Sequence, residues 1–305
     1  MILNSQNQSN RLLSINDLSF LDISRIIQVA QTRDFLIKNE GTFLSVFFEH
    51  STRTLLSFEK AAINCGLNIM RFDANTSSLS KEESQINTLR TLNSLNPSCI
   101  AVRCKYSLEP KLYSKYINSN IAFVNAGDGI NEHPTQALLD LFTLLEELNI
   151  NFSEDCLKNL KIAIMGDVMH SRVARSNIFL LSRLGAKIDL ITPPNFLNKN
   201  FVDFYSTKYK VNVLHSYTKQ YDVVMLLRVQ KERAEGSAKI CYPSNFGIYF
   251  EADLKSAYLM HPGPVNIGVE VSEEVAYNSK KSLISKQVEN GVLVRSAILK
   301  FLLSK

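Results

Sequence analysis

Glycine and proline are scarce, 11 and 8 in 305 residues, which excludes a collagen-like or low-complexity disordered chain. Cysteine is scarce too: Cys65, Cys99, Cys104, Cys156 and Cys241 form no CxxC pair and are odd in number. A disulfide framework or cysteine zinc site is therefore not expected, and small buried thiols in a reducing compartment are. No apolar run is long enough to cross a bilayer, and the polar start MILNSQNQSN lacks a signal-peptide core. The expectation is a cytoplasmic chain with no membrane partner. The net charge of +5 is mild, and no Lys/Arg run interleaved with aromatics appears, so nucleic acid is not an expected partner while small anions suit it. GxGxxG is missing, and His50, His170 and His215 show no ligand spacing; neither a dinucleotide cofactor nor a metal is expected.

What is present is a chain long enough for two domains, built of short apolar runs that alternate with helical patterns. Thr42–Phe48, Leu67–Phe72, Cys99–Arg103 and Ile121–Asn125 read as one series of strands, with Leu56–Cys65 as a helix after the first. Lys161–Met165, Lys187–Ile191, Val211–Leu214, Asp222–Leu227 and Ala257–Met260 read as a second. Dense apolar strands alternating with helices imply parallel sheets covered on both faces. Thr135–Asn149 carries Leu138, Leu141, Phe142, Leu145 and Leu148 at helical spacing, and is expected to be a helix linking two α/β domains. A similar stripe over Val292–Leu303 closes the chain. The expected fold class is α/β, two doubly wound domains joined by a linking helix, one made of 1–134 plus 288–305 and the other of 135–287.

In such sheets ligands sit beyond the carboxyl ends of the strands. Ser51–Thr54, Arg103, Asp167–Arg172, Arg228 and His261–Pro264 all fall there. Ser51-Thr52-Arg53-Thr54 is the sharpest of these. Helix N-terminal amides, hydroxyls and a guanidinium make an anion receptor. An N-cap explains Ser and Thr equally well, but a cap does not require a cation at the positive end of a helix dipole, and Arg53 favours the receptor. Read alone, His133 before Pro134 is a helix start, Arg103 a solvated charge, and Ser80-x-x-Glu83 a capping box. Glu49, Asp73 and Asp128 are expected to orient arginines or backbone.

FFEHSTRTLLSFEKAA resembles the phosphate loop of the carbamoyltransferases, and the likeness runs along nearly the whole chain. His133-Pro134-Thr135-Gln136, Gly166-Asp167 through Arg172-Val173-Ala174, Arg228 to Arg233 (RVQKER) and Met260 to Asn266 (MHPGPVN) match further family segments in order. The second half resembles the aspartate branch, since the Cys of the ornithine branch's HCLP segment is missing and RVQKER supplies cations suited to a dicarboxylate. The resemblance implies transfer of the carbamoyl group of carbamoyl phosphate to the α-amine of L-aspartate, with no cofactor and no metal. Ser51, Thr52, Arg53, Thr54 and Arg103 would hold phosphate, and Thr54, His133 and Gln136 the carbamoyl group, with Gly263 and Pro264 lining the pocket. Arg172, Arg228 and Gln230 would bind the aspartate carboxylates, and Lys81 would contact aspartate as well as carbamoyl phosphate. Ser77 and Lys81 would come from a loop reaching a neighbouring chain, which makes the functional unit a homotrimer with shared sites. Arg53, Thr54, Arg103 and His133 would carry the catalytic role. Regulatory or dihydroorotase chains, where they bind, would be separate polypeptides. Leu55, Glu82 and Ile267 depart from the family pattern, removing a charge, stiffening the loop and loosening a contact respectively.

Overall fold

Five strands form the first sheet: β1 (Arg11–Leu12), β2 (Thr42–Phe47), β3 (Asn68–Asp73), β4 (Cys99–Cys104) and β5 (Ala122–Asp128). All pair parallel, in the order β1-β5-β4-β2-β3. The computed structural model describes residues 10–38, 40–73, 83–217, 220–229 and 246–304. Strand β2 is an uninterrupted apolar run because both faces are covered, with Phe43, Leu44 and Val46 fully buried. On one face Leu44, Val46, Ile100, Val102 and Phe123 pack with Leu89 and Leu92 of the helix α3 (Gln85–Ser94). Toward the other lies α2 (Thr52–Asn64), whose Phe58 stacks on Phe43 with ring centroids 5.8 Å apart. Burying Phe58 stabilises this packing by about 2–3 kcal/mol.

The second sheet contains β6 (Lys161–Met165), β7 (Lys187–Ile191), β8 (Asn212–Leu214), β9 (Val223–Leu226) and β10 (Tyr258–Met260), again all parallel, in the order β10-β9-β6-β7-β8. Its core brings Ala163, Met165, Val224, Leu226 and Leu259 together with Phe246, Ile248 and Val275. The expected fold class of two parallel α/β sheets with their helices is the one observed.

By its internal contacts the chain divides into Met1–Leu138 with Gly291–Lys305, and Leu139–Asn290. The sequence pattern puts these limits at 134/135 and 287/288. Both pairs of limits fall within the helices α5 (Pro134–Glu147) and α9 (Ile284–Leu303). Helix α9 begins eight residues earlier than its apolar stripe suggests. The helix α1 (Phe20–Thr32), absent from the expected elements, starts on a Ser19/Asp22 capping box.

Each sheet has one place where successive connections leave in opposite directions. In the first it lies between β2 and β4, which pair through Phe47↔Arg103 at their carboxyl ends. In the second it lies between β6 and β9, which pair through Met165↔Leu226. These two crevices are where ligands of open α/β sheets bind.

Candidate active site

At the first crevice, Ser51 occupies the N-cap position of α2 with extended backbone, yet its side chain makes no capping hydrogen bond. The first intrahelical bond runs from Leu55 N–H to the Ser51 carbonyl, 3.3 Å. The amides of Thr52, Arg53 and Thr54 therefore precede the helical ladder, at the positive end of the helix dipole. Arg53 is exposed and Thr54 is buried. Arg103, across the crevice on β4, is held from two sides. Its Nε lies 3.0 Å from Glu49 Oε2, and its Nη1 donates to the Ala126 carbonyl at 3.3 Å. Glu49 thus orients an arginine, as expected.

His133 is 4% exposed and stands just before α5. Its Nδ1 is 3.4 Å from Thr135 Oγ1, and its carbonyl accepts from Gln136 N–H at 2.9 Å. The turn leading into it is fixed by two carboxylates. Asp128 accepts from Leu108 N–H at 2.6 Å, Asn125 Nδ2 at 2.9 Å, Asn131 Nδ2 at 3.0 Å and Glu132 N–H at 3.1 Å. Burial pushes its carboxyl above the usual range, and these donors pull it back. Glu132 accepts from Ser14 Oγ at 2.5 Å and Ile15 N–H at 2.9 Å, tying the turn after β1 to the His133 turn.

At the second crevice, Gly166 takes φ +126 directly after β6, a conformation open to glycine. Ser171 then caps the helix α6 (Arg172–Arg183) by accepting from Ala174 N–H at 3.1 Å. This brings Arg172, 5% exposed, to the first position of α6. His170 is paired with Asp167, with Nδ1 to Oδ1 2.9 Å. Arg228 follows β9 and is half-buried. Gly263 has φ +66, its N–H donates to His261 Nδ1 at 2.9 Å, and its bond to Pro264 is cis.

The side chain that locks this crevice is one that the sequence does not single out. Glu270 is fully buried. Its Oε1 accepts from Val229 N–H at 3.0 Å and Asn266 Nδ2 at 2.7 Å, and its Oε2 accepts from Asn266 N–H at 2.9 Å. One carboxylate therefore joins the residue after Arg228 to the turn after β10. Burial raises its pKa and the three donors oppose the rise. Glu270→Gln keeps the shape but turns an amide donor toward one of these N–H groups. We expect it to destabilise the chain by about 1–3 kcal/mol. Urea denaturation checks this, and an unchanged midpoint would contradict it.

Among the expected site residues, Ser51, Thr52, Arg53, Thr54, Arg103, His133 and Gln136 belong to the first unit, and Arg172, Arg228, Gly263 and Pro264 to the second. Ser77, Lys81 and Gln230, together with the departure Glu82 and with Cys241, lie outside the described residues. Leu55 is half-buried and Ile267 is 45% exposed. Cys65, Cys99 and Cys104 are buried and free. Burial pushes the Cys65 thiol up to about 12 and raises the other two as well, so none is a ready nucleophile. No helix of the described residues is long and apolar enough to cross a membrane.

Two family models align with the chain. One, the carbamoyl-P binding domain of aspartate/ornithine carbamoyltransferase, matches residues 10–146, and the other, the Asp/Orn binding domain, matches residues 158–302. This chain belongs to the aspartate/ornithine carbamoyltransferase family. It is 40% identical to the aspartate carbamoyltransferase catalytic subunit of Wolbachia sp. subsp. Brugia malayi (strain TRS), over 96% of this chain and 98% of that one. It is 42% identical to the catalytic subunit of the same name from Ehrlichia ruminantium (strain Welgevonden), over 96% of each chain. The crystal structure of aspartate transcarbamoylase from Trypanosoma cruzi in complex with carbamoyl phosphate superposes with a TM-score of 0.82 at 26% identity, over 95% of both chains. The five motifs that suggested a carbamoyltransferase thus belong to a family member along almost its full length.

Proposed function

We propose that this carbamoyltransferase transfers the carbamoyl group of carbamoyl phosphate to the α-amine of L-aspartate, giving N-carbamoyl-L-aspartate and phosphate, the second step of de novo pyrimidine synthesis. The observation that carries the reading is the full-length likeness to aspartate carbamoyltransferase catalytic subunits. Its chemistry agrees with the residues at the two crevices. Ser51, Thr52, Arg53 and Thr54 at the start of α2 bind the phosphate with Arg103. Ser77 and Lys81 complete that site from a neighbouring chain. Arg172, Arg228 and Gln230 bind the two aspartate carboxylates. A phosphate and a dicarboxylate repel one another, so a receptor for both needs several guanidinium groups.

The neutral amine attacks the carbamoyl carbon and a C–N bond forms. Thr54, Arg103 and His133 donate to the developing oxyanion, each contributing about 3 kcal/mol, and Gln136 contacts the carbamoyl group. The tetrahedral intermediate collapses as the C–O bond to phosphate breaks. Arg53 takes the charge of the leaving group, and phosphate accepts the amine proton. Holding both substrates in register supplies about 7–11 kcal/mol of the barrier reduction. No electron is exchanged. The working assembly is a cytoplasmic homotrimer, and any regulatory or dihydroorotase chain is a separate polypeptide.

The test is carbamoyl transfer by the purified chain with L-aspartate and L-ornithine in parallel. Turnover with aspartate alone is the expected result. Turnover with ornithine alone would move the chain to the sister branch, and turnover with neither would overturn the reading.

A further inference from the structure

A chain of buried polar groups in the second unit has no place in the chemistry above. Asp140 on α5 and Asn177 on α6 are fully buried, and Gln287 on α9 and His261 after β10 are 3% and 2% exposed. Asn177 Nδ2 donates to Asp140 Oδ2 at 2.8 Å and to the Val173 carbonyl at 3.1 Å. Gln287 Nε2 donates to Asp140 Oδ1 at 2.7 Å, while its Oε1 accepts from His261 N–H at 2.9 Å. His261 Nδ1 in turn accepts from Gly263 N–H.

The two ends of a glutamine amide are almost the same shape, so packing alone does not decide which way it points. Here the carboxylate decides. Asp140 accepts and does not donate when ionised, so the amide nitrogen must face it and the oxygen must face His261. That oxygen is what receives the first peptide N–H of the His261–Pro264 segment. On its other side, the same carboxylate holds Asn177, about one and a half turns along the helix that Arg172 opens.

We propose that Asp140 and Gln287 are positioning residues for the aspartate site. The carboxylate sets the amide, and the amide sets the His261–Pro264 segment against the Arg172 helix. The inference rests on the function proposed above and goes beyond it, since neither residue touches a substrate in that reading.

The arrangement can be inverted by exchange. Gln287→Glu alone sets a second carboxylate oxygen against Asp140. Asp140→Asn alone, its oxygen still serving Asn177, points a donor at the Gln287 donor. In the D140N/Q287E double variant these three hydrogen bonds are restored: the new amide serves Asn177 with its oxygen and donates to the new carboxylate, whose other oxygen still accepts from His261 N–H. Each single variant is expected to lose roughly a hundredfold in kcat/KM for aspartate, the loss that follows a displacement of about 1 Å at a site. The double variant is expected to return to within about fivefold of the parent, far from the product of the two losses. Affinity for inorganic phosphate, titrated calorimetrically on each variant, is expected to stay within about twofold, because the phosphate loop belongs to the first unit and these residues to the second.

The parent is assayed first. Its inactivity with aspartate would overturn the proposed function and leave nothing for the relay to position. An active parent with a double variant no better than the product of the singles, or one that does not fold, would overturn the relay alone. Loss of phosphate affinity in step with activity would also overturn it, marking the residues as general supports of the fold.

Discussion

Arg53→Ala is expected to reduce turnover by two orders of magnitude or more while leaving the fold intact. The fold survives because Arg53 is exposed at the start of α2, and the helix is held elsewhere. Phe58 stacks on Phe43, and the buried Arg295 donates from Nη1 to Ser57 Oγ at 2.8 Å with its guanidinium 5.3 Å from the centre of the Phe58 ring. An exposed substitution away from such anchors changes stability by about 0.5 kcal/mol or less. Turnover is expected to fall because, in the proposed mechanism, the guanidinium meets charge that grows as phosphate departs. Helix amides and hydroxyls can hold a bound phosphate, but they place no full positive charge at the breaking C–O bond. Loss of a donor aimed at developing charge costs roughly 10²–10³ in kcat. The drop should therefore appear in kcat and kcat/KM together, with a smaller change in carbamoyl phosphate affinity. Near-normal kcat, at an unchanged melting temperature, would remove Arg53 from the mechanism.

The sequence discloses the cations of the site far better than the groups that hold them. An arginine at a strand end is visible by type and place, so Arg103, Arg172 and Arg228 stand out in the amino-acid order as candidates, though Arg103 by itself reads as a solvated charge. A carboxylate means something only through the donor that faces it, and that donor can be far along the chain. Glu132 meets Ser14 across 118 residues, and Glu270 meets Val229 across 41. The same limit explains why the last helix starts earlier than its apolar stripe. The buried face of α9 runs through Gln287 and Asn290 before it reaches Val294 and Ile298. Asn290 Nδ2 donates to Thr143 Oγ1 at 3.1 Å and to Glu146 Oε2 at 2.9 Å, so this stretch is helical and buried with polar contacts that an apolar stripe does not register. Strands are easier. Lys161–Met165 and Lys187–Ile191 have the limits read from sequence, because buried parallel strands are apolar on both faces and end abruptly. Strand β5 runs on to Asp128, past the expected Asn125, since Asn125 and Asp128 satisfy one another inside the core. Helix α1 does carry a signal that the strand-and-helix pattern left unused: Ile23, Ile26, Ile27 and Ala30 form a buried stripe behind the Ser19 cap.

Arg228→Ala is expected to damage the use of aspartate while sparing carbamoyl phosphate. Arg228 is half-buried, two residues past the end of β9, and the next residue is fixed by Glu270 through Val229 N–H. Its backbone is therefore set before any substrate arrives, and little order is lost when a carboxylate binds. Truncating one partner of a desolvated, charge-paired contact costs about 2–5 kcal/mol. That range corresponds to roughly 30- to 4,000-fold in kcat/KM for aspartate, since each 1.4 kcal/mol is tenfold. If the guanidinium binds substrate and transition state alike, the loss falls on KM and kcat is preserved at saturating aspartate. Arg228→Lys separates charge from geometry: an ammonium keeps the charge but not the planar fork that meets a carboxylate through two parallel hydrogen bonds, so partial rescue is expected and full rescue is not. Because Glu270 holds the backbone, not the guanidinium, Glu270→Gln and Arg228→Ala together should lose less than the product of their separate effects: a misplaced side chain matters little once it is gone. Unchanged aspartate saturation in Arg228→Ala would remove this residue from the carboxylate site and would leave Arg172 as the guanidinium there among the described residues.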